Sequence, residues 1–176
     1  MANKRARDLT RPKDRDKSCT CDTFSLNIRC EGTVLVISLT TDLPVNTRVD
    51  ILAKRQFFAV DGGVYYWTCI EAAFPVTKQD DGSNGLLLRL SNDELDTKGI
   101  NMYRHLKRKC DVVIGTEPPT DLEVLVMAPT TSHHFGICNR RLTGKAVTVG
   151  KSGHYLEQSA HVSVPTSVAV MKRLGF

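Results

Sequence analysis

Two imidazoles stand just ahead of a thiol in the run His133-His134-Phe135-Gly136-Ile137-Cys138-Asn139. A thiol beside an imidazole has the composition of a nucleophile and base pair. Catalytic cysteines usually meet their histidine across the fold, with a third group to orient the ring, and no recognised nucleophile signature surrounds Cys138. The stretch therefore reads first as a loop leading into a strand, with exposed histidines. A thiol enzyme using Cys138 with His133 or His134 is the weakest of the functional readings, and no catalytic residue is assigned.

Cys19-x-Cys21 followed by Cys30 has part of the composition of a zinc site, because thiolates are good ligands and the first two are close in sequence. A structural zinc needs four ligands in paired short spacings, and the second pair is missing. Cys30 also falls in phase with an apolar strand face. The six cysteines (Cys19, Cys21, Cys30, Cys69, Cys110, Cys138) are expected to be thiols, and no metal ligand is assigned. The sequence holds no P-loop, dinucleotide-binding glycine motif, HExxH or EF-hand pattern, and no cofactor is expected.

The strongest partner signal is electrostatic. Residues 1–17 carry seven basic side chains (Lys4, Arg5, Arg7, Arg11, Lys13, Arg15, Lys17) against Asp8, Asp14 and Asp16, a balance of +4. The whole chain is +5, so the remaining residues contribute only +1. Cationic side chains on such a segment can neutralise phosphates with release of counterions. The segment has no aromatic residue to stack on bases, so readout of a base sequence is not implied. A second cluster, Arg104-His105-Leu106-Lys107-Arg108-Lys109, falls where a helix should end, and cations there complement the helix dipole. Arg104, Lys107 and Arg108 could also extend the arm into a composite basic surface.

These groups must be positioned by a body that follows the arm. Before Phe24 there is little apolar side chain to bury, so residues 1–20 are read as a flexible basic arm and residues 21–176 as one domain. From Phe24 the pattern alternates strictly: Phe24, Leu26, Ile28 and Cys30 share one face, and Ser25, Asn27 and Arg29 the other. Thr33 to Leu39 is rich in β-branched residues and reads as a strand covered on both faces. Val49, Ile51 and Ala53 resume the period of two after Pro44. Tyr65-Tyr66-Trp67-Thr68-Cys69-Ile70 lies in a strand from Val64 to Ala72, with Trp67 inward and Tyr65 and Cys69 on its face.

Residues 78–85 form a polar turn, and Leu86 to Leu90 a short core strand. One convincing helix starts at Ser91, which with Glu94 has capping-box spacing. Leu95, Met102 and Leu106 lie near one face of it, and Gly99 weakens its middle. Further strands are expected at 112–115, 122–128, 145–149 and 157–164. Val168, Met171 and Leu174 recur at threes and suggest a terminal helical face.

Short strands separated by turn signals indicate a mainly β chain: an antiparallel β-sandwich, immunoglobulin-like or a distorted barrel, with one short helix. The pattern resembles immunoglobulin-like modules at fold level alone, which does not fix function. At 176 residues the chain is long enough to bury a core without metal or disulfides. There is no apolar run long enough to span a membrane and no apolar stretch of the kind a secretory signal requires, so an intracellular, cytoplasmic protein is expected. The leading functional expectation is a non-enzymatic binding or assembly module. Its sandwich surface would contact protein or further copies of itself, and its arm an anionic partner. The alternative is a structural protein associated with nucleic acid, such as a particle or coat component.

Overall fold

The structure is a computed structural model that describes residues 17–58, 62–97, 120–129, 131 and 134–174. It is mainly β, with antiparallel sheets facing one another as a sandwich. In chain order the strands are β1 (Cys19–Thr20), β2 (Phe24–Glu31), β3 (Val34–Thr41), β4 (Arg48–Phe58), β5 (Val64–Pro75), β6 (Thr77–Lys78) and β7 (Asn84–Ser91). They continue with β8 (Asp121–Ala128), β9 (Leu142–Thr143), β10 (Thr148–Gly150) and β11 (Gly153–Ser163). A helical segment α1 covers 92–97, and α2 is Val168–Leu174.

One sheet has five strands in the order β10-β11-β8-β4-β5, and the other has four in the order β2-β3-β7-β6. Neither closes into a barrel. All pairings within these two sheets are antiparallel, while β1 and β9 form a separate parallel pair. The core lies between the sheets, where alternate residues of each strand point inward. The five-stranded sheet supplies Val49, Ile51 and Ala53 from β4, Trp67 from β5, and Leu122, Val124 and Val126 from β8, all fully buried. The four-stranded sheet supplies Phe24, Leu35, Ile37, Leu39 and Leu86.

Two local departures from strict alternation have identifiable causes. Val36 points away from the core yet is buried. Its cross-strand neighbours on either side are Arg29 and Arg89, whose guanidinium groups both bind Glu31, at 2.8 and 2.9 Å. Long aliphatic stems can cover an apolar neighbour while the charged heads stay in water. In β5 the register shifts opposite Ala53 and Lys54, so that Ala53 faces Ile70 and Lys54 faces Thr68. Cys69 is the extra residue of this bulge. The inward set therefore changes parity, from Tyr65 and Trp67 before the bulge to Ile70 after it, with Cys69 buried as well.

The inward stripe of β4 continues past Ala53 to Arg55, whose side chain is fully buried. Its Nε donates to Asp96 Oδ1 at 2.6 Å, and its Nη1 donates to the Val164 carbonyl at 2.6 Å. Asp96 Oδ2 accepts from the Ser167 amide at 2.6 Å, and Ser167 Oγ bonds the Asp93 carboxylate. Asn92 Nδ2 adds a bond to the Pro165 carbonyl at 2.8 Å. A fully paired buried ion thus fastens α1 and the loop before α2 onto β4.

α1 begins as its capping box requires. Ser91 N donates to Glu94 Oε2 at 2.8 Å, and Glu94 N donates to Ser91 Oγ at 3.2 Å. The hydrogen bonds from Ser91 hold the Glu94 carboxyl below its ordinary range. Met102, Leu106 and Gly99 of the expected helix, the expected strand at 112–115 and Cys110 lie outside the described residues.

Several expectations need correction. Two short helices are present rather than one. Lys145 and Ala146 form a turn rather than the start of a strand, because β10 begins at Thr148. β11 starts at Gly153, four residues before the expected Glu157, so the hairpin with β10 is tighter than expected. In α2, Val168 is 62 % exposed and Val170 is the buried contact. The bonds holding residues 164–167 rotate the helix so that Val170, rather than Val168, faces the core.

Candidate anion-binding interface

The chain that leads into the domain is tied down earlier than its polarity suggests. Cys19 and Thr20 pair in parallel with Leu142 and Thr143. Cys19 N donates to the Arg141 carbonyl at 3.1 Å, and Cys21 N donates to the Thr143 carbonyl at 2.6 Å. Cys21 is fully buried, and its thiol donates to the Thr23 carbonyl at 3.1 Å. The hydrogen-bonded body therefore begins at Cys19, two residues before the expected start of the domain.

Gly144 makes this junction possible. It sits at φ +121, and a Cβ there would collide with the backbone of Cys21. Only glycine allows both the backbone conformation and the close approach. Two carboxylates complete the corner. Asp42 Oδ2 accepts from the amides of Asp22 and Thr23 at 3.0 and 2.7 Å, and Asp22 Oδ1 accepts from the Lys145 amide at 2.8 Å. His154 Nδ1–H donates to the Leu142 carbonyl at 2.7 Å, which ties β9 to the first turn of β11.

These contacts gather cations. Parallel pairing runs the chain just before Cys19 beside Arg141, so Lys17 lies by Arg140 and Arg141, while Lys145 follows β9 at the other end of the pair, against Asp22. All four are exposed. Asp22 and Asp42, which are exposed and accept from main-chain amides, keep their charge, so the corner sets four cations against two carboxylates and is net positive. Of the residues singled out from the sequence, Lys17 is placed here. Lys4, Arg5, Arg7, Arg11, Lys13 and Arg15 lie outside the described residues, as do Arg104, Lys107 and Arg108. Arg140, Arg141 and Lys145 escaped sequence reasoning because they sit more than 120 positions from the arm, and only the β1–β9 pairing brings them to it. The one local signal was the dipeptide Arg140-Arg141 beside a glycine turn.

The Cys138 stretch is a tightly built loop. Phe135 is buried, and its amide donates to Asn139 Oδ1 at 3.2 Å, while Asn139 Nδ2 donates to the Pro129 carbonyl at 2.8 Å. The buried amide of Asn139 thus closes the loop on β8. Cys138 and Asn139 both have positive φ, 53° and 54°. Cys138 packs against Gly153, where any side chain would collide with it. His134 is half-buried with its ring 6.3 Å from that of Phe135, and His133 lies outside the described residues.

The described cysteines, Cys19, Cys21, Cys30, Cys69 and Cys138, are free thiols. Burial, with the Cys21 and Asp42 charges behind it, pushes the Cys19 thiol up to about 11, and burial likewise pushes Cys69 to about 11. Such thiols are poor nucleophiles at neutral pH. Among the described residues no group of three or more His, Cys, Asp or Glu side chains could hold a metal ion. No described helix is long and apolar enough to cross a membrane. Comparison with family models, with curated proteins and with solved structures returns no match to this chain.

Proposed function

We propose that the chain is a non-enzymatic binding and assembly module whose N-terminal basic segment engages an anionic partner. The observation that supports this reading most is the parallel pairing of β1 with β9. It fixes the root of a segment of balance +4, at Lys17, beside Arg140 and Arg141, with Lys145 at the far end of the same pair. A polyanion that meets this surface gains from release of its counterions at each neutralised phosphate. Anchoring the root of the segment also reduces the entropy lost when it binds.

Association with nucleic acid in a particle or coat is the narrower form of the same reading, since a phosphate backbone supplies regularly spaced charge without any need for base contacts. The free thiols support a reducing, intracellular setting. The test is a titration with a fluorescent duplex DNA and with heparin at several salt concentrations. Three proteins are compared: the full chain, a chain whose seven arm cations are changed to glutamine, and an Arg140→Gln/Lys145→Gln variant. Each neutralised phosphate contributes roughly −0.9 to the slope of log affinity against log salt on duplex DNA. Both variants should show weaker binding and a shallower slope. Unchanged affinity and slope in the arm variant would overturn the reading.

A further inference from the structure

The outer face of the five-stranded sheet has the opposite charge to the arm and its root. The strand register sets Glu157, Met127 and Asp50 side by side in one row across β11, β8 and β4. The next row is Ser159, Leu125, Leu52 and Glu71, and a third is His161, Glu123 and Lys54. Leu52, Leu125 and Met127 form a half-buried apolar centre. Around it stand the carboxylates Asp50, Glu71, Asp121, Glu123 and Glu157, against the cations Arg48, Lys54 and Lys151, the last beside Met127 and Glu157. Asp121 accepts from His161 Nδ1 at 3.2 Å, while among the described residues the other four carboxylates have no ion-pair partner.

We infer that this face is a self-association surface, and that its occupant is the basic edge of a second copy, carrying Lys17, Arg140, Arg141 and Lys145. Three observations point there. The face combines unpaired negative charge with an apolar centre, which is the make-up of a steered docking patch rather than of a solvated surface. The complementary positive surface is on the same chain, built on β9 and its flanking turns. Both surfaces belong to one folded body, since β9 is fixed to β11 by the His154–Leu142 bond and β11 itself carries part of the acidic face. A copy cannot lay its own edge on its own sheet, so the complementarity is met between copies, head to tail. Such a contact propagates from one copy to the next, as an assembling protein requires.

The experiment is sedimentation velocity on the full chain over a range of concentrations, at low and high salt and without polyanion. Association at low salt that weakens as salt rises is expected. A Glu123→Lys/Glu157→Lys variant should associate about tenfold more weakly or worse, and so should an Arg140→Glu/Lys145→Glu variant. Mixing the two variants should restore association in pairs, because each retains the surface that the other now complements. Thermal melts of each variant alone confirm that it is folded. A wild-type chain that stays monomeric at low salt, or variants that associate as the wild type does, would overturn the inference. The face variant keeps the whole basic edge, so its polyanion binding persists whatever becomes of association, and the two proposals fail separately.

Discussion

Arg55 and Asp96 meet at 2.6 Å in an interior that exposes neither side chain to solvent, and they join β4, between β8 and β5 in its sheet, to the helical segment α1, with 41 residues separating the two in sequence. Asp96 passes the connection on to the Ser167 amide, and Arg55 to the Val164 carbonyl, so one ion pair holds three distant parts of the chain. A buried pair of this kind stabilises little relative to apolar replacements, yet it is costly to break on one side.

Arg55→Met is therefore expected to destabilise the protein by about 3 to 5 kcal/mol, since it strands a buried carboxylate. The double variant Arg55→Met/Asp96→Leu should recover part of that loss but not all, because the Val164 carbonyl and the Ser167 amide still lose partners. Urea unfolding of the three proteins checks this. A double variant no more stable than the single one would show that the pair's geometry, rather than its charge, is what the fold depends on.

Trp67 is fully buried between the sheets, with its indole N–H donating to the Cys69 sulfur at 3.2 Å. Trp67→Ala should cost about 3 to 5 kcal/mol through lost burial and the cavity left behind. Indole fluorescence in the native protein should be blue-shifted and resistant to acrylamide. As Trp67 is the only tryptophan, the reading is unambiguous.

Gly144→Ala forces a side chain into the backbone of Cys21 at a φ that disfavours any residue but glycine. We expect a loss on the order of 2 to 3 kcal/mol and detachment of β1 from β9. Trypsin should then cut at Lys17 and Arg141 faster than in the wild type. An unchanged cleavage rate would mean that the junction adapts without opening.

The buried thiol of Cys69 gives the protein a pH dependence of definite sign. Its folded value, about 11, lies above the ordinary value near 9.0, so the folded chain retains a proton that the unfolded chain gives up. The associated stability is complete below pH 9 and declines as pH rises towards 11. The melting temperature should fall over that window, and Cys69→Ala should show a smaller fall across the same interval. Alkylation by iodoacetamide at pH 8 should leave Cys19 and Cys69 largely unmodified until the protein is unfolded.

What the sequence determined by itself is local and periodic. The alternation in β2 and β4, the capping box of Ser91 and Glu94, and the inward Trp67 follow from side-chain type at spacings of two to four residues, whereas β3, expected to be covered on both faces, is buried on its outward face at Val36 alone. The physics behind them acts between near neighbours. Even Arg55 was in phase with Val49, Ile51 and Ala53, but phase alone does not show that a cation has a buried partner.

Tertiary structure decided whatever depends on a partner far along the chain. The bulge at Cys69 arises from matching β5 to β4, and the rotation of α2 towards Val170 arises from the bonds that hold residues 164–167. The pairing of Asp96 with Arg55 needed α1 to be folded over β4. The arrival of Lys17 beside Arg140 and Arg141, and the rows of carboxylates across β4, β8 and β11, are products of strand order and register. Loop-closure entropy makes such distant meetings costly, so they form only where the packed core repays them, and a linear pattern carries no record of which strands it will bring together.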